Sequence, residues 1–322
     1  MSQSWHCSYL DSATRHPPRA SFVALATELV AAMEATPVRE SIRETDESSW
    51  LIGGKLVLAR AQPQESAWRY KITNAPATLP ESRPLSGLGD VKLVHDVGDV
   101  SAVFAIGDAA FCKVRVLDIP STTREHTTLS WLHERKWSFA IPNTLHHAEF
   151  DNRYYIVLDR VLGSTLDSIW ATLEEAQRQC LVKRIVGICA ELAVPAPTSS
   201  ITGVDGCFLP ERYLCGQEID CSPTNLKKSC SELGMDCSSL VFYHCDLGPT
   251  NILVDLETSS IGIIDWEIAG FVPIEWIRTK FRVSSGLDLT SGEQHDWRKR
   301  VMLYMGELGY TDVAEAFRNW EI

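Results

Sequence analysis

The sequence predicts an α+β protein of two lobes: a small antiparallel β-sheet lobe with one helix, then a larger, mainly helical lobe. Three observations predict it. β-rich runs crowd residues 90–160 with one helical segment among them, helical periodicity takes over after Gly163, and a Pro-rich stretch ending near Gly89 marks a boundary before both. With 322 residues, 45% of them apolar and 22% charged, the chain is long enough to bury two cores and ordinary enough to be globular. The expected divisions are therefore 1–89, 90–160 and 161–322.

Residues 1–20 are polar and carry Pro17 and Pro18. In SFVALATELVAAMEA, Phe22, Leu25, Ala26, Leu29 and Met33 recur at helical spacing, which predicts an amphipathic helix over 21–35. Gly53-Gly54 then separates two apolar runs as a hairpin turn would. Gln62–Gly89, with Pro63, Pro76, Pro80 and Pro84, reads as loop. VKLVHDVG, DVSAVFAIG and AAFCKVRVLDI are strands, the last two joined through Gly107-Asp108. Thr122-x-x-Glu125 has the form of a capping box opening a helix through Arg135, and strands follow near Ile141–Ala148 and Arg153–Asp159. Beyond Gly163, Thr165–Trp170 and Leu173–Leu192 read as helices, and Pro195–Pro223 as a Pro/Ser/Gly-rich connection.

The net charge of −12 disfavours nucleic acid and anionic membrane as partners, because phosphate backbones are bound by clustered Lys and Arg. No apolar run reaches the ~20 residues that span a bilayer. Six of ten cysteines (207, 215, 221, 230, 237 and 245) fall six to nine residues apart, without the C-x-x-C pairs of a zinc site. The N-terminus shows no secretory pattern, so the expectation is a cytoplasmic protein with reduced, mostly buried thiols.

The chemistry is concentrated in LVFYHCDLGPTNILVDLETSSIGIIDWEIAG, residues 240–270. Asn251 lies five residues after Asp246, and the runs ILVD and IGIID flank a polar turn. An antiparallel hairpin places the residue before its first strand beside the residue after its second. Asn251 and Asp265, fourteen apart, should therefore converge as a hard-oxygen pair suited to Mg²⁺ on nucleotide phosphates. Asp246, a turn away, is placed to accept a hydroxyl proton. Upstream, Lys113 alternates with Cys112, Val114 and Val116 and so shares the opposite strand face with Phe111 and Arg115.

H-x-D-L-x-x-x-N, a hairpin and then I-D-W-E resemble the catalytic core of the aminoglycoside phosphotransferase/choline kinase family, a branch of the protein-kinase-like fold. The likeness spans roughly residues 90–290. It implies an ATP- and Mg²⁺-dependent kinase of a small hydroxylated metabolite, with 90–160 as the nucleotide-binding lobe and 161–322 as the catalytic and acceptor-binding lobe. Residues 1–89 would be an extension packed on the small lobe. By the same resemblance Asp246 is the base, and Asn251 and Asp265 hold metal. Lys113 contacts phosphate and pairs with Glu125, with Arg115 and Glu134 as rivals for those two parts. His244 is structural. Asp159–Val161 present backbone groups to adenine, Leu158 forms the back wall, and Ser101 takes the place of an absent Gly-rich loop.

Cys245 in place of Arg, Gly248 in place of Lys and Trp266-Glu267 in place of Phe-Gly separate this chain from protein kinases, and the aromatic-Pro-x-x-Trp of AGFVPIEW resembles the fungal set of the family. For the acceptor, an amine-bearing alcohol would suit Glu267, Glu275, Asp288, Glu293 or Asp296, with Trp276, Trp297 and Trp320 as walls. The alternatives are a nucleotide-binding or scaffold protein on the same fold without phosphoryl transfer, and a repurposed site doing other metabolite chemistry.

Overall fold

The structure, a computed structural model, describes residues 36–62, 68–119, 121–216 and 219–320. The helix expected over 21–35 lies outside the described residues. The first elements are four short strands, β1 (Ile42–Glu44), β2 (Ser49–Ile52), β3 (Leu56–Arg60) and β4 (Tyr70–Asn74), paired antiparallel in that order. Gly53 and Gly54 turn the β2–β3 hairpin in left-handed conformation, with φ of 54° and 70°. β4 corrects the expectation of loop throughout 62–89. Only Tyr70 of its five residues is buried, so the strand carries no alternating apolar pattern and is held by backbone pairing to β3.

The second sheet comprises β5 (Val91–Val97), β6 (Ser101–Ile106), β7 (Ala110–Val116), β8 (Thr144–Phe150) and β9 (Arg153–Asp159), in the order β5-β6-β7-β9-β8 and antiparallel throughout. One helix, α1 (Glu125–His133), follows β7. The two faces of this sheet serve different ends. Phe104, Cys112, Val114, Tyr155 and Val157 are buried in a core shared with Trp50, Leu58 and Tyr70 of the first sheet. Because successive side chains alternate across a strand, that packing turns Lys113 and Arg115 to the other face.

The larger lobe holds α2 (Leu166–Ile169), α3 (Glu175–Leu192), α4 (Arg212–Cys215), α5 (Pro223–Glu232), α6 (Ile274–Val283), α7 (Asp296–Glu307) and α8 (Ala314–Trp320). Set among them are the strands β10 (Ser164–Thr165), β11 (Leu240–His244), β12 (Ile252–Asp255), β13 (Ser260–Ile263) and β14 (Ala269–Pro273). β12 pairs with β13 and β10, and β11 with β14. Leu129 and Leu132 of α1 join the core of this lobe with Phe242, Ile263 and Trp266, so α1 is packed between the lobes. This is the bilobal α+β arrangement of a small antiparallel sheet lobe with one helix and a larger helical lobe. No helix among the described residues is long and apolar enough to cross a membrane.

Two local expectations need correcting. Thr122 does not cap α1: its hydroxyl donates to the Ile119 carbonyl and Arg124 stands at the N-cap, because the Glu125 carboxylate is drawn into the interior instead. Nor are the thiols all reduced. Cys215 and Cys221 form a disulfide across the turn after α4, their Cα atoms 4.9 Å apart.

Gly270 on β14 lies flat against the 202–203 segment, and a Cβ there would fall well inside contact distance of the Thr202 carbonyl oxygen. That neighbour is backbone and cannot swing aside. Gly270→Ala is expected to destabilise the protein by about 1–3 kcal/mol in urea unfolding; an unchanged midpoint would refute this packing.

Candidate active site

The site begins at Lys113, which β7 aims into the gap between the lobes. Its ammonium donates to Glu125 Oε2 of α1 at 2.7 Å and to Asp265 Oδ1. Glu267 Oε2 stands 3.9 Å away, and Arg115, two residues along the same strand face, holds the other Glu267 oxygen. Glu125 also accepts the backbone N–H of Trp266 at 3.1 Å, which ties α1 to the residue after Asp265. Burial works against the charge of Lys113, but Asp265, Glu125 and Glu267 outweigh it and hold its pKa well above the ordinary value. Burial and the neighbouring acids push Glu125 upward, while Lys113 keeps Asp265 ionised against its own burial.

Asp265 is one of the few non-glycine residues with positive φ, at 66°. The left-handed turn there carries the chain out of β13 and away from the hairpin line, and its carboxylate points at Lys113. Trp266 then drops into the core. Its indole donates to the Ile263 carbonyl and its ring stacks near Phe139 and Phe242.

The second part is the loop from His244 to Asn251. His244 is fully buried. Its Nε2 donates to the Ile264 carbonyl at 3.0 Å and its Nδ1 accepts the Asp246 N–H at 3.1 Å, so one neutral ring joins the loop to the end of β13. Burial lowers its pKa to about 4, consistent with that neutral tautomer. Asn251 Nδ2 donates to the Asp246 backbone oxygen at 2.8 Å and to Asp246 Oδ2 at 3.0 Å. The Ile252↔Ile263 register and the Ile264 N–H to Asn251 carbonyl bond bring the two ends of the hairpin together. Gly248 passes so close to the 286–287 segment that a Cβ would sit 3.1 Å from the Gly286 carbonyl oxygen, which leaves no room for a lysine.

Between these parts lies a cleft of about 320 Å³. Val103, Phe111, Pro142, Leu158, Val161, Leu253 and Ile264 form its apolar walls, and Lys113, Asn251 and Asp265 stand together on its polar side. Asp159 and Val161 also line it. The Asp159 carboxylate, however, is spent on Asn143, and the amides of Asp159 and Arg160 bond the Asn143 and Ala109 carbonyls. Ser101 lies opposite Arg115 at the start of β6 and is not among the lining residues.

Neither rival residue takes the part of Lys113 or Glu125. Glu134 is exposed at the C-terminal end of α1 beside Arg135, and Arg115 meets Glu267 rather than Glu125. Trp276 and Trp297 are fully buried, and Asp288 and Asp296 are tied to Arg298 and Arg300. Glu267, expected among acceptor-pocket acids, instead completes the cluster around Lys113; the two-residue spacing from Asp265 was the available signal.

No protein-family model matches the chain, and no curated protein matches it. Aminoglycoside phosphotransferases are among the solved structures it resembles. A thermostable mutant of aminoglycoside phosphotransferase APH(4)-Ia in its apo form is 18% identical with a TM-score of 0.47, covering 71% of this chain and 83% of that one. APH(3'')-Id from Streptomyces rimosus ATCC10970 is 17% identical with a TM-score of 0.45, covering 70% and 90%. ADP-bound APH(2'')-Ib is 14% identical with a TM-score of 0.44, covering 72% and 81%.

Burial, and then the Asp265 charge, raise the Asp246 pKa to about 7, against the pull of Lys280 and of the Asn251 hydrogen bond. A folded-state pKa above the unfolded one near 3.9 means that stability is lost as pH rises through that interval. In metal-free protein, Asp246→Asn is therefore expected to be more stable than wild type by about 4 kcal/mol at pH 8, with the difference fading towards pH 4. Urea unfolding at several pH values measures it, and a gap independent of pH would contradict a desolvated carboxylate.

Proposed function

We propose that the chain is an ATP-dependent phosphotransferase that moves the γ-phosphate to a hydroxyl of a small-molecule metabolite. What carries the reading is that Lys113, Asn251 and Asp265 line one cleft between the lobes, with Lys113 bonded to Asp265 and Asp246 to Asn251. The donor set fits Mg²⁺: an amide oxygen and a carboxylate that already faces a cation, the Lys113 ammonium. When bound, Mg²⁺ would be held by Asn251 and Asp265 and would offset the negative charge of the nucleotide phosphates.

The chain's own residues divide the remaining tasks. Phe111, Leu158 and Val161 offer flat apolar surface to an adenine, with backbone groups of Asp159–Val161 at its edge. With the Asp159 and Arg160 amides engaged, the free backbone donor assigned here is that of Val161. Lys113, kept in place by Glu125, binds phosphate oxygen, and Ser101 would do so only if the β5–β6 hairpin bends over the cleft. Asp246 orients the acceptor hydroxyl and takes its proton while the new O–P bond forms and the bond to ADP breaks.

A small acceptor, rather than a polypeptide, is favoured by how the chain leaves the site. Only three residues separate Asp265 from β14, which pairs back onto β11 and leads straight into α6, so no long segment forms a peptide platform. We assign nucleotide binding to 90–160, acceptor binding to 161–322, and 1–89 to an extension that braces the small lobe. The chain fits the fungal-type branch of the aminoglycoside phosphotransferase/choline kinase family.

A metabolite-pool screen with MgATP, read as a phosphate-sized mass gain, should identify the acceptor. With that acceptor, Asp246→Asn is expected to lower kcat by about 10²–10⁴-fold with little change in KM for ATP. Turnover like wild type would remove Asp246 as the base. Lys113→Met is expected to raise KM for ATP and lower kcat together, and steady-state kinetics over an ATP series would show either pattern.

A further inference from the structure

Behind the Asp246 loop lies a buried ion pair that the proposed chemistry does not use. Glu211, at the N-cap of α4, and Lys280, from the middle of α6, are 1% and 3% exposed. Both Glu211 oxygens accept from Lys280 Nζ at 2.8 Å, and one is within 3.4 Å of the Trp276 indole nitrogen. The ammonium also lies 4.1 Å from the centre of the Tyr213 ring. Isolated, such a pair is a poor way to stabilise a core, since well-packed apolar side chains often do as well. Its position is more informative. It joins α4 to α6, whose C-terminal end leads into the segment packed on the Asp246 loop.

The same two helices meet a second time, beside that loop. Ser284, at the end of the Lys280 helix, donates to the Tyr213 hydroxyl at 3.1 Å, and the segment it opens brings Gly286 against Gly248. Thus α4 and α6, clamped together by Glu211–Lys280, hold the Asp246 loop at Gly248, two residues past Asp246. We propose that Glu211 and Lys280 are positioning residues for Asp246, with the 284–286 segment transmitting their placement. Neither touches substrate. Their task is to fix the backbone from which Asp246 reaches the acceptor hydroxyl. The inference rests on the phosphotransferase reading for its kinetic consequence, but its structural content stands apart from it.

The test compares wild type with Glu211→Leu/Lys280→Met, which removes both charges together, and with Ser284→Ala, which removes only the bond from the segment beside Gly248 to Tyr213. Lys280→Arg serves as the conservative rescue. Hydrogen–deuterium exchange of residues 244–251 is expected to speed up at least tenfold in the first two variants, while the 252–263 hairpin keeps its protection. With an acceptor in hand, kcat should fall at least tenfold with KM for ATP unchanged, and Lys280→Arg should restore most of it. Unchanged exchange at 244–251 in folded variants overturns the proposal, as does faster exchange with unchanged kcat. If the double variant fails to fold, Ser284→Ala decides by the same two readouts. A wild type that binds no ATP and yields no phosphorylated product would overturn the phosphotransferase reading, while exchange would still decide the positioning role.

Discussion

The interaction on which the rest depends is the Lys113 ammonium held between Glu125 and Asp265. It joins three separate pieces of chain: a strand of the small sheet, the helix packed between the lobes, and the turn leaving the β12–β13 hairpin. Five charged groups share this small region, three carboxylates with Lys113 and Arg115. Removing charges from water is costly, and a lone member of the set would be strongly disfavoured. Each is tolerated because the others are present, so geometry and charge state are fixed together. Glu125 is doubly committed, since it also receives the Trp266 N–H.

That constraint explains why the first sheet matters to a site it does not reach. Lys113 can face the cleft only if the alternate residues Cys112 and Val114 have somewhere to be buried, and β1–β4 supply that surface. The large lobe supplies the complementary support. Trp266 anchors the chain directly after Asp265 in the core, and His244 fastens the loop to the end of β13. The Asp246 carboxylate, raised to about 7 by burial, is the element that the fold holds at a cost. Sites for proton transfer are where such costs are met.

Much of this was legible in the sequence, because periodicity and pairing rules act locally. The alternation in AAFCKVRV gave the facing of Lys113, and the hairpin rule brought Asn251 and Asp265 to one cleft. What stayed hidden depended on tertiary context. β4 has one buried residue and no pattern to read. The Cys215–Cys221 bridge depends on how the chain turns after α4. Thr122-x-x-Glu125 has the form of a helix cap, but partners distant in sequence, Lys113 and Trp266, claim the Glu125 carboxylate. Glu211 and Lys280 stand 69 residues apart and carry no motif.

The central claim, that the cleft beside Lys113 takes nucleotide with Mg²⁺ held through Asp265, is tested most directly by calorimetric titration of ATP into wild type and Asp265→Asn, each with and without Mg²⁺. Mg²⁺ is expected to tighten ATP binding to wild type by at least tenfold and to do little for the variant. Equal tightening in both proteins, or no ATP binding to wild type, would contradict it.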